Sequence, residues 1–137
     1  MYPAEIVKPM REDLSLYGFK ELFSADEVHS AINQEGTVLV VVNSVCGCAA
    51  ANARPAVRIS LAHDKTPDHL FTVFAGVDRD ATDTARAKMM PFPPSSPSLA
   101  LFKDGELVHM IERHHIEGRT AQLIADNLTE AFNEFCS

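Results

Sequence analysis

Residues Thr37 to Val42, TVLVVV, limit the folds open to this chain more than any other segment. An unbroken run of β-branched and apolar side chains, with no polar alternation, describes a strand buried on both faces. A sheet covered on both sides by helices offers that environment. From Cys48 the composition turns to Ala49, Ala50, Ala51, Ala53 and Ala56, which reads as helix. Leu70 to Val77, LFTVFAGV, then supplies a second apolar strand. Strand, helix and strand in that order make a crossover unit, and its two strands must run parallel. Pro55 falls inside the helix. Lacking an N–H, and with its ring against the carbonyl four residues back, it predicts a kink near Ala51.

The remaining elements follow from turn and capping chemistry. Residues 1 to 9 read as an irregular lead-in, and a short helix is expected from Pro9 to Tyr17, ended by Gly18. Ser24 with Glu27 three positions on has the spacing of a capping box, and the helix it opens closes at Gly36. After Val77, Asp78 to Asp80 turn the chain, and Asp80 or Thr82 could cap a helix reaching Met89 or Met90. PFPPSSPS cannot be a helix interior or a central strand. Ser98 to Phe102 and Glu106 to Ile111 flank Asp104-Gly105, a strong hairpin signal. Gly118 opens a final helix with Ile124, Leu128, Ala131 and Phe135 along one stripe. The predicted fold class is α/β: a mixed four-stranded sheet with helices on both faces, one domain over residues 1–137.

Charge and cysteine usage narrow the function. A net charge of -7 without a basic, aromatic-laced stripe argues against nucleic acid as a partner. The run Val38 to Val42 is far too short to cross a bilayer, so no membrane role is expected. MYPAEIVKPM has no signal-peptide character, which makes the reducing cytoplasm the expected location. Three cysteines are too few, and odd in number, for a disulfide scaffold, so any disulfide is catalytic or transient.

Cys46 and Cys48 stand between the end of a buried strand and the start of a helix. Open α/β sheets place their sites at that end of parallel strands. Free N–H groups in a helix's first turn stabilise a thiolate. The nearest cation along the chain, Arg54, lies a turn or two on, so the helix terminus is the expected source of any depressed pKa. Gly47 permits the close turn that a disulfide between residues i and i+2 requires. Cys46, on the exposed side of the loop, is the expected attacker of a mixed disulfide, and Cys48, turned inward, the resolving thiol. Asn43 ends the strand and could bond the loop that holds Cys46. The competing reading is a metal or iron–sulfur carrier using the Cys46 and Cys48 thiols, which Cys136 could join as a third ligand. His114 and His115, taken as strand-end residues, would point to opposite faces, so no metal site is assigned there. No cofactor is expected.

The segments NSVCGCAA, PFPPSSPSLALFKDGELVHMIERHHIEGR and AFNEFC resemble the bacilliredoxin family, and SSPSLALFKDGELV resembles the cis-proline strand and hairpin of the thioredoxin superfamily. The likeness covers essentially the whole chain. It implies a thioredoxin-like fold and a thiol–disulfide oxidoreductase that removes bacillithiol from modified cytosolic proteins, some members being linked with disulfide isomerase activity. The partners implied are bacillithiol-modified or disulfide-containing proteins and a low-molecular-weight thiol. The resemblance makes Cys46 the residue that takes the small thiol and Cys48 the one that can resolve. Gly47, Ser96 and Pro97 are then expected at the substrate, with Ser96–Pro97 as the cis peptide. The chain departs from ordinary thioredoxin in having Val45 where a tryptophan precedes the first cysteine, and a single spacer residue. A couple less reducing than thioredoxin is the consequence expected.

Overall fold

The computed structural model describes residues 2–137. Its elements in chain order are α1 (Ala4–Ser15), β1 (Lys20–Glu21), α2 (Ala25–Ile32), β2 (Thr37–Asn43), α3 (Arg54–Ser60), β3 (His69–Phe74), α4 (Arg79–Lys88), β4 (Ser98–Lys103), β5 (Glu106–Ile111), α5 (Arg113–Ile116) and α6 (Ala121–Phe135). A single π-helical turn, Ala49–Ala53, leads into α3.

The sheet order is β1-β3-β2-β4-β5, with β2 at the centre, parallel to β3 and antiparallel to β4. Every residue of β2 is buried. Strand alternation sends Leu39 and Val41 into one apolar cluster with α3 and α6, and Val38, Val40 and Val42 into another that includes residues of α2 and α4. The continuous apolar run therefore has the meaning expected of it. At roughly 25 cal/mol per Å² of apolar area, each such side chain contributes about 1.5–3 kcal/mol of burial, which makes this strand the anchor of both layers. The hairpin also forms as expected: Asp104 (φ 51°) and Gly105 (φ 86°) both adopt the left-handed region that a tight two-residue turn demands.

Four expectations change. The sheet has five strands, not four, because the two-residue β1 pairs with Phe71 and Thr72 of β3. Lys20 and Glu21 carry no apolar pattern, so this edge strand had no sequence signal. Helix α1 begins at Ala4 and runs through Pro9. Val7 and Leu14, two turns apart on one face, bury there, while Pro9 lies on the exposed side, where a freed carbonyl can meet water. The kink expected from Pro55 appears as the wide turn over Ala49–Ala53, closed by a bond from the Arg54 N–H to the Ala49 carbonyl five residues back. The extra residue in that turn moves the chain around the proline without breaking the helix. The N-cap position of helix α4 is Asp78, not Asp80 or Thr82, and the Asp78 carboxylate, instead of bonding the helix, accepts from Arg11 at 2.8 and 3.2 Å. Arg11 also reaches Glu21 at 2.8 Å and lies over the Phe23 and Phe74 rings, tying α1 to the β1 edge.

Candidate functional site

The loop after β2 is clamped before the thiols are reached. Asn43, 1% exposed, donates from Nδ2 to the Met10 carbonyl at 3.0 Å, while its Oδ1 accepts from Ser44 N–H at 2.9 Å and Arg54 Nη1 at 3.0 Å. Arg54, 3% exposed, also donates from Nη1 to the Ser44 carbonyl at 3.0 Å and from Nε to Asp13 Oδ2 at 2.9 Å. Ser44 Oγ accepts from the Cys46 N–H at 3.1 Å. The Cys46 carbonyl in turn accepts from the N–H groups of Ala49 and Ala50 at 2.9 and 3.3 Å, where the wide helical turn begins. Asn43 thus does bond the loop, as its position suggested. Arg54, read from the sequence only as a distant cation, proves to be the loop's buried brace.

Cys46 and Cys48 are free thiols whose Sγ atoms lie 2.7 Å apart, and the Cys48 N–H points at Cys46 Sγ at 3.4 Å. Both are partly exposed, but Cys48 packs against the apolar cluster under α3 and α6. The two environments split the pair. The hydrogen bond from Cys48 holds the Cys46 thiol below its ordinary value, helped by the Cys48 N–H, the positive charge of Arg113 and the Ala49 N–H. Burial, then the bond to Cys46 and its negative charge, push Cys48 up to about 11. The expected origin of the Cys46 shift is corrected accordingly. The partner thiol leads, backbone amides follow, and a cation far away in sequence takes part.

Arg113 arrives from the far side of the sheet, just beyond β5. Its main-chain N–H donates to Ser95 Oγ at 3.4 Å, its Nη1 to the Ser96 carbonyl at 3.3 Å, and its Nε to Glu117. Cys46, Ser96 and Arg113 line one groove of about 380 Å³ together with Ser44, Val45 and Arg86. The Ser96–Pro97 bond is cis, as the resemblance implied; Met90–Pro91 is cis as well, which had not been anticipated. Pro97 is buried at the start of β4. Gly47 is exposed, lacks a positive φ, and a Cβ built there would meet nothing within 4 Å. The dithiol form does not need glycine at this point, so steric freedom at Gly47 matters only to what approaches the thiols or to their oxidised form.

Cys136 does not join them. It is buried, its thiol bonds Thr37 at the opposite end of β2, and burial pushes it up. The length of that strand, on the order of 20 Å, separates it from the Cys46 loop. The third thiolate that a carrier could have drawn on is therefore not brought to the pair. Cys136→Ala is expected to cost about 1 kcal/mol in a urea titration, as a small core truncation, and to leave thiol exchange within about twofold.

His114 and His115 correct the strand-end expectation. They sit on the one-turn helix α5, with ring centroids 4.0 Å apart, and the His115 Nδ1 accepts from the Glu112 N–H at 3.2 Å. Glu112, His114 and His115 have ligand-type atoms within 4.8 Å of one another. Burial, then the neighbouring His114, hold His115 below the usual imidazole range.

A dithiol at the carboxyl end of the central strand, beside a cis-proline turn, defines a thioredoxin-like thiol–disulfide oxidoreductase. Among the described residues no helix is long and apolar enough to cross a membrane. Solved structures with this architecture include a protein with a thioredoxin fold (TM-score 0.65, 23% identity, 85% of this chain and 95% of that one). A thioredoxin from Halobacterium salinarum superposes with a TM-score of 0.58 at 19% identity, covering 85% and 89% of the two chains. These likenesses speak to the fold. The Disulphide isomerase family matches residues 2–136. The bacilliredoxin of Cytophaga hutchinsonii is 54% identical, over 98% of this chain and 99% of its own. That of Halalkalibacterium halodurans is 54% identical, over 98% and 94%. The chain belongs to the bacilliredoxin family.

Proposed function

We propose that residues 1–137 act as one thioredoxin-like unit that removes bacillithiol from mixed disulfides on cytosolic proteins, with Cys46 as nucleophile and Cys48 as resolving thiol. The observation that carries this division of labour is the geometry of two thiols 2.7 Å apart: the Cys48 N–H points at Cys46 Sγ while Cys48 packs against the apolar cluster, which lowers Cys46 and raises Cys48 to about 11. The Cys46 thiolate attacks the bacillithiol sulfur, the sulfur–sulfur bond to the client cysteine breaks, and the client leaves as a thiolate that takes up a proton. Cys46 then carries bacillithiol. Cys48 loses its proton and attacks the Cys46 sulfur, expelling bacillithiol as thiolate and leaving a Cys46–Cys48 disulfide for an outside dithiol or two small thiols to reduce. Ser96 lines the groove beside Cys46 and, with the cis Pro97 that follows it, is assigned to the substrate, while Gly47 leaves the approach to the two thiols clear. Free thiols of this kind persist in a reducing compartment, and the cytosol is the place assigned to the reaction.

The same asymmetry bears on disulfide isomerisation. Two of the four causes that raise Cys48, the bond to Cys46 and the Cys46 charge, vanish once Cys46 is in a mixed disulfide; burial, the largest, remains, as does the Glu117 charge. Resolution by Cys48 stays slow compared with an exposed thiol, so a client's own second thiol has time to attack instead.

The deciding experiment is a pair of pH profiles with a bacillithiol-modified carrier protein under single-turnover conditions. Carrier release should rise with pH and level off below the pH at which an ordinary cysteine would ionise. Formation of the Cys46–Cys48 disulfide, read by intact mass after acid quench, should keep rising above that point and level off short of pH 11. Superimposable profiles, or no carrier release, would exclude this assignment.

A further inference from the structure

We infer that the groove beside Cys46 holds the carboxylate end of the small thiol, through Arg86 and Arg113; this rests on the oxidoreductase reading above. The chain as a whole is acidic, with a net charge of -7, yet the charged side chains lining this groove are both guanidinium groups. The lining residues beyond those already described, Tyr2, Ala75 and Gly76, are uncharged.

Both cations hang from the same turn. Arg86 Nη2 reaches the Ser95 carbonyl at a long 3.5 Å, and Arg113 Nη1 reaches the Ser96 carbonyl at 3.3 Å. The turn before Pro97 thus brings a residue of α4 and a residue of α5 onto two consecutive carbonyls, in the groove that Cys46 lines. Neither guanidinium is used up there. Arg86 Nε is buried without a hydrogen-bond partner, and among the described residues Arg86 forms no ion pair. Arg113 spends its Nε on Glu117 and keeps its outer nitrogens at the groove. A buried donor left unpaired is costly, and a carboxylate is the ligand that a planar guanidinium fork fits best.

The size of the groove selects the half of the substrate. About 380 Å³ suits a small molecule and not a length of peptide. When Cys46 attacks the small-thiol sulfur, that half of the mixed disulfide becomes bonded to Cys46 and stays in the groove, while the client leaves. The ligand class is therefore a low-molecular-weight thiol bearing one or more carboxylates.

The test holds the client constant and varies the small thiol. One single-cysteine carrier protein is prepared as mixed disulfides with mercaptosuccinate (anionic), 2-mercaptoethanol (neutral) and cysteamine (cationic). Carrier release by the reduced full-length protein is measured for each and divided by the rate with dithiothreitol, which corrects for intrinsic reactivity. The leaving group is the carrier thiolate in all three. The corrected rates should fall in the order anionic, neutral, cationic, and the anionic-to-neutral ratio should shrink as salt is added. Arg86→Gln should reduce that ratio about fivefold, and Arg86→Lys should restore part of it. The double variant with Arg113→Gln should bring it near one. Because each variant serves as its own reference, a loss of stability or of Cys46 reactivity does not mimic the effect. A corrected ratio of one in the native protein, or a ratio unmoved by Arg86→Gln, would overturn the proposal while leaving the oxidoreductase reading in place. Absence of release from all three adducts would overturn both.

Discussion

Cys46→Ala should slow removal of a bacillithiol adduct by about a hundredfold or more, because the remaining thiol is held largely protonated by its burial. Cys48→Ala should behave differently in kind. Carrier release should continue, and one small-thiol adduct should accumulate on Cys46, visible as a single mass increment that dithiothreitol removes. The first step should also slow several-fold near neutral pH in Cys48→Ala. The hydrogen bond from Cys48 is the leading cause of the lowered Cys46 value, so its loss moves Cys46 back toward an ordinary thiol. The pH profile of Cys46 alkylation by iodoacetamide should accordingly shift upward in this variant. The sign is that of a lost stabiliser of the anion: the thiolate fraction at a given pH falls. Equal turnover in both alanine variants would defeat the nucleophile assignment, and an unshifted alkylation profile would show that the neighbouring thiol does not tune Cys46.

The second large effect is expected from a residue that touches neither thiol. Arg54→Met should destabilise the protein by about 2–3 kcal/mol in a urea titration. Methionine keeps most of the side-chain bulk against the core, so the cost comes from polar groups and not from a cavity. The Ser44 carbonyl loses the Arg54 donor, and Asn43 Oδ1 keeps only the Ser44 N–H. The other former partner, Asp13, is 46% exposed and can be rehydrated, which keeps the loss below that of a buried carboxylate left alone. Asp13→Asn should for the same reason cost less, about 1 kcal/mol. Since Asn43 and Ser44 carry the loop that places the Cys46 N–H, Arg54→Met should also raise amide hydrogen exchange at residues 44–46 more than elsewhere. A midpoint within about 0.5 kcal/mol of the native protein would mean that the buried brace contributes nothing net, as can happen when desolvation of the ion offsets its bonds.

Parts of this site were legible in the sequence for a local reason. Thr37–Val42 could be buried only on both faces, so the thiols that follow it had to emerge at the carboxyl end of an inner strand. Asp104-Gly105 could hardly be anything but a tight hairpin. Pro55 had to disturb the helix after Cys48, although whether by a kink or a wide turn was open. The roles expected of the two cysteines came from their order between strand and helix, and resemblance to a family gave the same division; the cis Ser96–Pro97 turn came through the resemblance alone.

What stayed hidden depends on distance through space. Lys20 and Glu21 became a strand because Phe71 and Thr72 offered an open edge, which two charged residues cannot announce. Glu112 to Ile116 became a turn of helix because the Glu112 side chain and the His115 ring cap each other, where the neighbouring hairpin suggested more strand. Cys136 had looked able to approach the other thiols, but α6 carries it to the far end of β2.

The order of apolar and turn-forming residues along the chain was enough to determine a doubly covered sheet with a dithiol at the mouth of its central strand, since burial and turn geometry act between near neighbours. The tertiary structure alone decided which thiol is lowered, which is raised, and what surrounds them. Charge, desolvation and hydrogen bonding fall off over a few ångströms, and at that range Cys46 meets Arg113 and the Ser96 turn, groups that the chain delivers only after the whole sheet has closed.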